Sequence, residues 1–120
     1  KVTSMTRPDT APRVRIYDLL YRLGLRAVST DFFYTAHAVS LALERASLLF
    51  DEQRLHQEVA ALYRSTPQRV HGGIGRCAAA VWVRRRGMLC LIARRKLTQC
   101  PSPVQFLTIL AAYLTEDYAA

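Results

Sequence analysis

The chain has 120 residues, of which 51% are hydrophobic, and carries a formal charge of +8 with an isoelectric point near 10.0. That size and apolar content suit one packed domain and exclude a disordered chain. No apolar run approaches the about 18 residues of a membrane-spanning helix.

Residues 1–12 hold two prolines and few apolar side chains, so they read as a linker or tail ahead of a helical domain over 13–120. This start lacks the apolar centre of a secretory signal, and it opens on a lysine, as a piece of a longer protein would. Over 14–23 apolar residues recur at helical spacing (Val14, Ile16, Leu19, Leu20, Leu23), and Gly24 stops the helix. Ser29, Thr30 and Asp31 offer caps for a second helix reaching about Arg45, with a stripe of Phe32, Phe33, Ala36, Val39 and Leu43. A third stretch over 47–63 reads as two pieces interrupted at Gln53 and Arg54.

Thr66 caps the next helix, and Pro67 stands at its first position, where a missing N–H costs nothing. Val70, Ile74, Cys77 and Val81 follow at steps of four, three and four, which is one face of a helix expected over 67–86. Residues 88–99 are basic and apolar together and read as a short helix or an irregular arm. Pro101, Ser102 and Pro103 break the chain before a last helix over 104–114. Alternation of period two is absent, so the expected class is all-α, with about six helices.

The function-bearing segment is Glu58 to Trp82. Small Ala60 lies where a second helix must cross closely, a tight turn follows, and Val70 and Ile74 lock the second helix down, the order a central helix-turn-helix requires. Charge agrees with this reading. Residues 1–66 carry nine Lys and Arg against seven Asp and Glu, residues 67–100 carry eight basic and no acidic residues, and 101–120 add only Glu116 and Asp117. A field of one sign on one segment is the footprint of a polyanion, whereas a surface basic only for solubility intersperses its signs.

Arg69 and Arg76, two helical turns apart, are expected to read bases, because an arginine fork matches the O6 and N7 of guanine. Gln68 would assist, and Ser65 and Thr66 would touch phosphate at the helix start. Gly72, Gly73 and Gly75 each cost a helix roughly 1 kcal/mol against alanine. With His71 they read as a place where backbone approaches DNA, Gly72 and Gly73 lying on the side of the arginines. A phosphate-cradling glycine loop is the lesser reading, since a helix cap and not a strand precedes it. Arg84 and Arg85, with Arg86, and the cluster Arg94, Arg95 and Lys96 are candidate phosphate contacts, which hold without choosing sequence.

Cys77, Cys90 and Cys100 are odd in number and 13 and 10 residues apart, unsuited to a disulfide framework or a zinc knuckle, so they read as reduced, structural and cytoplasmic. His37, His56 and His71 look too scattered for a metal site, with no acid beside them, and nothing marks an activated nucleophile. No metal, no cofactor and no enzymatic activity are expected.

These residues resemble the C-terminal effector domain of the sporulation response regulator family, stage-zero sporulation protein A-like. The likeness runs from about Ile16 to Leu114. It rests on Ile16-Tyr17-Asp18-Leu19-Leu20-Tyr21-Arg22-Leu23-Gly24, the aromatic opening of the second helix, Ala60, Ser65-Thr66, Arg69-Val70, Ile74, Ala79, Val81-Trp82, Pro101-Ser102 and Gln105-Phe106-Leu107. The resemblance implies a six-helix domain that follows a phosphorylatable receiver domain. It also implies binding to short boxes of double-stranded DNA, often as tandem copies or a homodimer, and contact with RNA polymerase sigma factor. The family's recognition helix reads serine-arginine-valine-glutamate-arginine-alanine-isoleucine-arginine-histidine, where this chain has Gln68-Arg69-Val70-His71-Gly72-Gly73-Ile74-Gly75-Arg76. Arg69 carries over, Gly72 and Gly75 replace the family's other two arginines, and Arg76 stands at its histidine. The stretch between Trp82 and Pro101 is shorter than in the family.

The expectation is therefore a sequence-specific, DNA-binding transcription regulator. The alternative is a degenerate paralogue that acts as a protein-interaction module, for example on sigma factor, without base readout. A basic amphipathic surface on anionic lipid is the third and weakest option.

Overall fold

The computed structural model describes residues 10–119 and is all-helical over them. The six helices are α1 (Thr10–Arg22), α2 (Thr30–Glu44), α3 (Glu52–Tyr63), α4 (Pro67–Arg84), α5 (Arg86–Ala93) and α6 (Pro103–Ala119), with a 3-10 turn at Ala46–Phe50 before α3. Of the tail expected at 1–12, residues 1–9 lie outside the described residues and 10–12 already belong to α1.

Local chemistry sets most of these boundaries. In α1, Ile16, Leu19 and Leu20 are buried, as is Leu23 just after it, whereas Val14 is exposed and outside the core. Gly24 takes φ +86°, the left-handed region that glycine enters without a Cβ clash, and the helix stops there. Ser29 caps α2 by accepting from the N–H of Phe32 at 3.4 Å, and Asp31 in the first turn suits the positive end of the helix dipole. The break before α3 falls at Asp51, not at Gln53 and Arg54, because the Asp51 carboxylate accepts from the N–H of Arg54 and starts a new helix. Ser102 and Gln105 exchange side-chain and backbone bonds of 3.2 and 2.9 Å, a capping box that starts α6.

The ends of two helices differ from expectation. α4 stops at Arg84 and α5 begins at Arg86, so residues 86–93 are a short helix and no irregular arm. α6 starts one residue earlier and runs five residues further than its sequence pattern predicts.

Helix α2 is the hub, packing against α1, α3, α4 and α6. Tyr17 and Tyr21 of α1 meet Phe32 with ring centroids 5.4 and 5.6 Å apart, sealing α1 onto α2. From the other side Leu55, Val59, Val70, Ile74, Phe106, Leu107 and Leu110 complete one continuous core.

Candidate functional site

Helices α3 and α4 are joined by residues 64–66 and packed against each other. Arg64 adopts φ 52° and ends α3, and the Ser65 N–H donates to the Ala60 carbonyl at 2.9 Å. Ala60 is buried, so its small side chain admits the turn closely. The Tyr34 hydroxyl donates to Ser65 Oγ at 2.8 Å and ties the turn to α2. Thr66 Oγ1 accepts from the N–H of Arg69 at 3.2 Å, with Pro67 in the first turn. Val70, Ile74, Cys77 and Val81 are all buried. At roughly 1.5–3 kcal/mol for each fully buried aliphatic side chain, that stripe fixes which face of α4 remains outside.

The outer face carries Gln68, Arg69, Arg76, Ala79 and Val83, all exposed. Arg69 forms no ion pair among the described residues. Arg76 does: its Nε and Nη2 donate to the Asp31 carboxylate at 2.8 and 3.0 Å, a bidentate pair reaching from α4 to the start of α2. That bond raises the already high pKa of Arg76, so one of the two arginines expected to read bases is already engaged within the fold.

The glycines separate. Gly73 does not share the outer side with the arginines; it is buried against α2, and a Cβ there would stand 2.7 Å from Asp31 Oδ1 and 2.8 Å from Tyr34 Cδ2. Close backbone approach to DNA is thereby excluded at Gly73. Its role is the crossing of α2 and α4. At Gly72 a Cβ would meet only Arg76 Nη1 at 3.4 Å, and at Gly75 only Pro103 Cγ at 3.7 Å.

Arg84 and Arg85 lie at the far end of α4, roughly 22 Å along the axis from Arg69 at about 1.5 Å per residue. Arg84 is exposed, Arg85 lies over Gly24, and Arg86 stacks on Trp82 with its guanidinium carbon 4.0 Å from the ring centroid. Arg94 pairs with Glu116 at 2.8 Å, while Arg95 and Lys96 are exposed and form no ion pair among the described residues. Cys77 is buried, Cys90 and Cys100 are half-buried, and all three are free thiols; burial pushes Cys77 and Cys100 up.

His71 turns away from the arginines toward α3. Its Nδ1 lies 3.4 Å from Glu52 Oε2, and its ring centroid is 5.1 Å from that of His56. His56 is buried, with Nε2 3.9 Å from Glu52 Oε2 and without a hydrogen-bond partner. Burial lowers the pKa of His56, opposed by the nearby Glu52 carboxylate and aided by His71. The expectation that the histidines are scattered is therefore corrected: two of the three meet, and with an acid. His37 stands apart, against Tyr63 and the Phe33 carbonyl.

A scan against protein-family models finds no match for the chain, and a search of curated proteins finds none similar to it.

Two side chains of consequence escaped the sequence reading. The sequence marks Asp31 only as a capping residue, because its pairing with Arg76 spans 45 positions. Glu52 precedes His56 by four residues, which puts both on one helix face, a local signal that was present and unused. Among the described residues no helix is long and apolar enough to cross a membrane.

Proposed function

We propose that this domain is a DNA-binding transcription regulator that lays α4 along duplex DNA. The supporting observation is a helix locked down by a buried stripe behind a three-residue turn, with an unpaired Arg69 on its outer face and exposed Arg84, Arg85 and Arg86 beyond its far end. Arg69 would contact a base edge, with Gln68 beside it, and the terminal arginines would hold phosphates. Thr66 is exposed at the start of α4, where its hydroxyl accepts from the Arg69 N–H and can itself donate to a phosphate oxygen; Ser65, already bonded to Tyr34, serves the turn first. A cytoplasmic bacterial protein of the sporulation response regulator type, working as tandem copies on DNA and touching sigma factor, fits this reading.

One observation favours a second reading, a protein-interaction module. Gly72, Arg76, Ala79 and Val83 follow at steps of four, three and four, so the middle of the outer face is small and apolar around an arginine already engaged by Asp31.

Fluorescence anisotropy of a labelled random-sequence duplex, titrated with the domain at several salt concentrations, separates the two. Each phosphate neutralised contributes about −0.9 to the slope of log affinity against log salt, so the exposed cations predict a slope between about −2 and −5. A slope near zero sinks the DNA reading and leaves the interaction module. Arg69→Ala should then narrow the gap between duplexes selected from the random pool and unselected ones, while Arg84→Ala with Arg85→Ala should weaken both about equally.

A further inference from the structure

We infer that Glu52, His56 and His71 form a binding site for a divalent transition-metal ion of the zinc class, bridging α3 and α4. One ligand atom from each residue lies within 4.8 Å of the others. The observed separations are 3.4 Å for His71 to Glu52 and 3.9 Å for His56 to Glu52, the second too long for a hydrogen bond. They approach the roughly 3.3 Å that separates ligand atoms on a tetrahedral ion with bonds of about 2.0–2.1 Å. Glu52 and His71 can close the difference by side-chain rotation, since the Glu52 carboxylate is 37% exposed and the His71 ring 55%.

The decisive residue is His56. It is only 4% exposed, its Nε2 has no hydrogen-bond partner, and it lines the same cleft of about 360 Å³ as Glu52, His71, Pro67, Gln53 and Gln68. An imidazole nitrogen left unsatisfied in an interior is costly, so a partner is expected for it. The neighbours within reach are a carboxylate oxygen and a second imidazole, and two imidazoles with one carboxylate make a donor set of the kind that holds zinc with one position open. Calcium and magnesium prefer an all-oxygen set and are disfavoured here. Two ligands come from α3 and the third from the second turn of α4. The bound ion would therefore clamp the helix pair and, resting on the DNA reading above, place positive charge beside the N-terminal part of α4, on the side that faces α3.

The test needs no DNA. Protein freed of metal with a chelator is titrated with Zn²⁺ while its melting temperature and binding heat are followed. The expected result is one ion per chain and a rise of at least about 5 °C at saturation. His71→Ala and Glu52→Gln, both at partly exposed positions, should keep the fold and weaken the ion at least about tenfold, since even residues that only orient ligands cost 10–100-fold. Co²⁺ reports the donors directly: a ligand-field spectrum without a thiolate-to-cobalt charge-transfer band is expected. Unchanged affinity in both variants, a thiolate band from Cys90 or Cys100, or no saturable binding overturns the site. Saturable binding of one ion through these residues stands whether or not the domain binds DNA, so failure of the DNA reading removes only the link to DNA.

Discussion

Gly72, Gly73 and Gly75 look alike in the sequence and differ entirely in surroundings. Sequence alone shows a helix weakened three times, with a shared reason facing outward. The structure assigns Gly73 to the crossing of α2 and α4, because that reason depends on Asp31 and Tyr34, about forty positions away. Opposite signs follow for one substitution. Gly73→Ala forces a Cβ to within 3.0 Å of two side-chain atoms in a buried crossing, and overpacking of about 1–3 kcal/mol outweighs the roughly 1 kcal/mol gained in helix propensity. Gly75→Ala meets only ordinary contact with Pro103 and keeps most of that gain. Thermal melts followed by circular dichroism should show Gly73→Ala falling and Gly75→Ala rising by a few degrees each. A rise for Gly73→Ala would mean that the helices do not cross so closely.

At the scale of the element, α4 was legible because its signals are local: the Thr66 cap, Pro67 and a stripe that is buried as spaced. Its C-terminal end was not, since no glycine or proline marks the step from α4 to α5 at Arg85. Nor was its tether. Asp31 lies in the first turn of α2, where its charge suits the helix dipole, and simultaneously grips Arg76. An exposed pair of this sort is screened by water and adds little to stability, so Asp31→Asn should lower the melting temperature little. Its effect on DNA should be larger in proportion. Freed of its partner, Arg76 presents a full charge on the outer face, so affinity for duplex should rise and the salt slope should steepen by about 0.9. If Asp31→Asn and Arg76→Ala both leave affinity and slope unchanged, Arg76 faces no phosphate or base and serves only to fix α4 on α2.

For the whole molecule, periodicity and caps carried the fold class and the order of the helices, because helices are built from neighbours in sequence. The candidate site was legible only where it is local. Arg69 and the basic segment could be read directly, whereas the inward turn of Gly73 and the meeting of His71 with Glu52 exist only after packing.

Packing also sets a stability profile with pH, and its sign can be worked out. His37 is half-buried between Phe33 and Tyr63, and burial lowers its pKa below the ordinary value of about 6.5; the bond to the Phe33 carbonyl opposes this, and the charge of Arg13 adds to it. His56 shifts the same way, again chiefly through burial. Between the lowered values and about 6.5 the unfolded chain binds more protons than the folded one. Stability therefore rises with pH across that window, is fully present above it, and is lost as pH falls through it. Glu58 is lowered by its bond to Arg45, so its contribution fades only in the more acidic carboxylate range and leaves the histidine window distinct. Urea denaturation of metal-free protein at a series of pH values between about 5 and 8 should show the rise, at no more than about 1.4 kcal/mol per pH unit for each histidine. His37→Gln removes one titrating ring and should flatten the profile on the acid side while leaving that of His56 in place. A profile in which stability falls as pH rises from about 5 to 7 would mean that the folded chain favours the imidazolium, and that the surroundings of His37 and His56 are charged and wet instead of apolar.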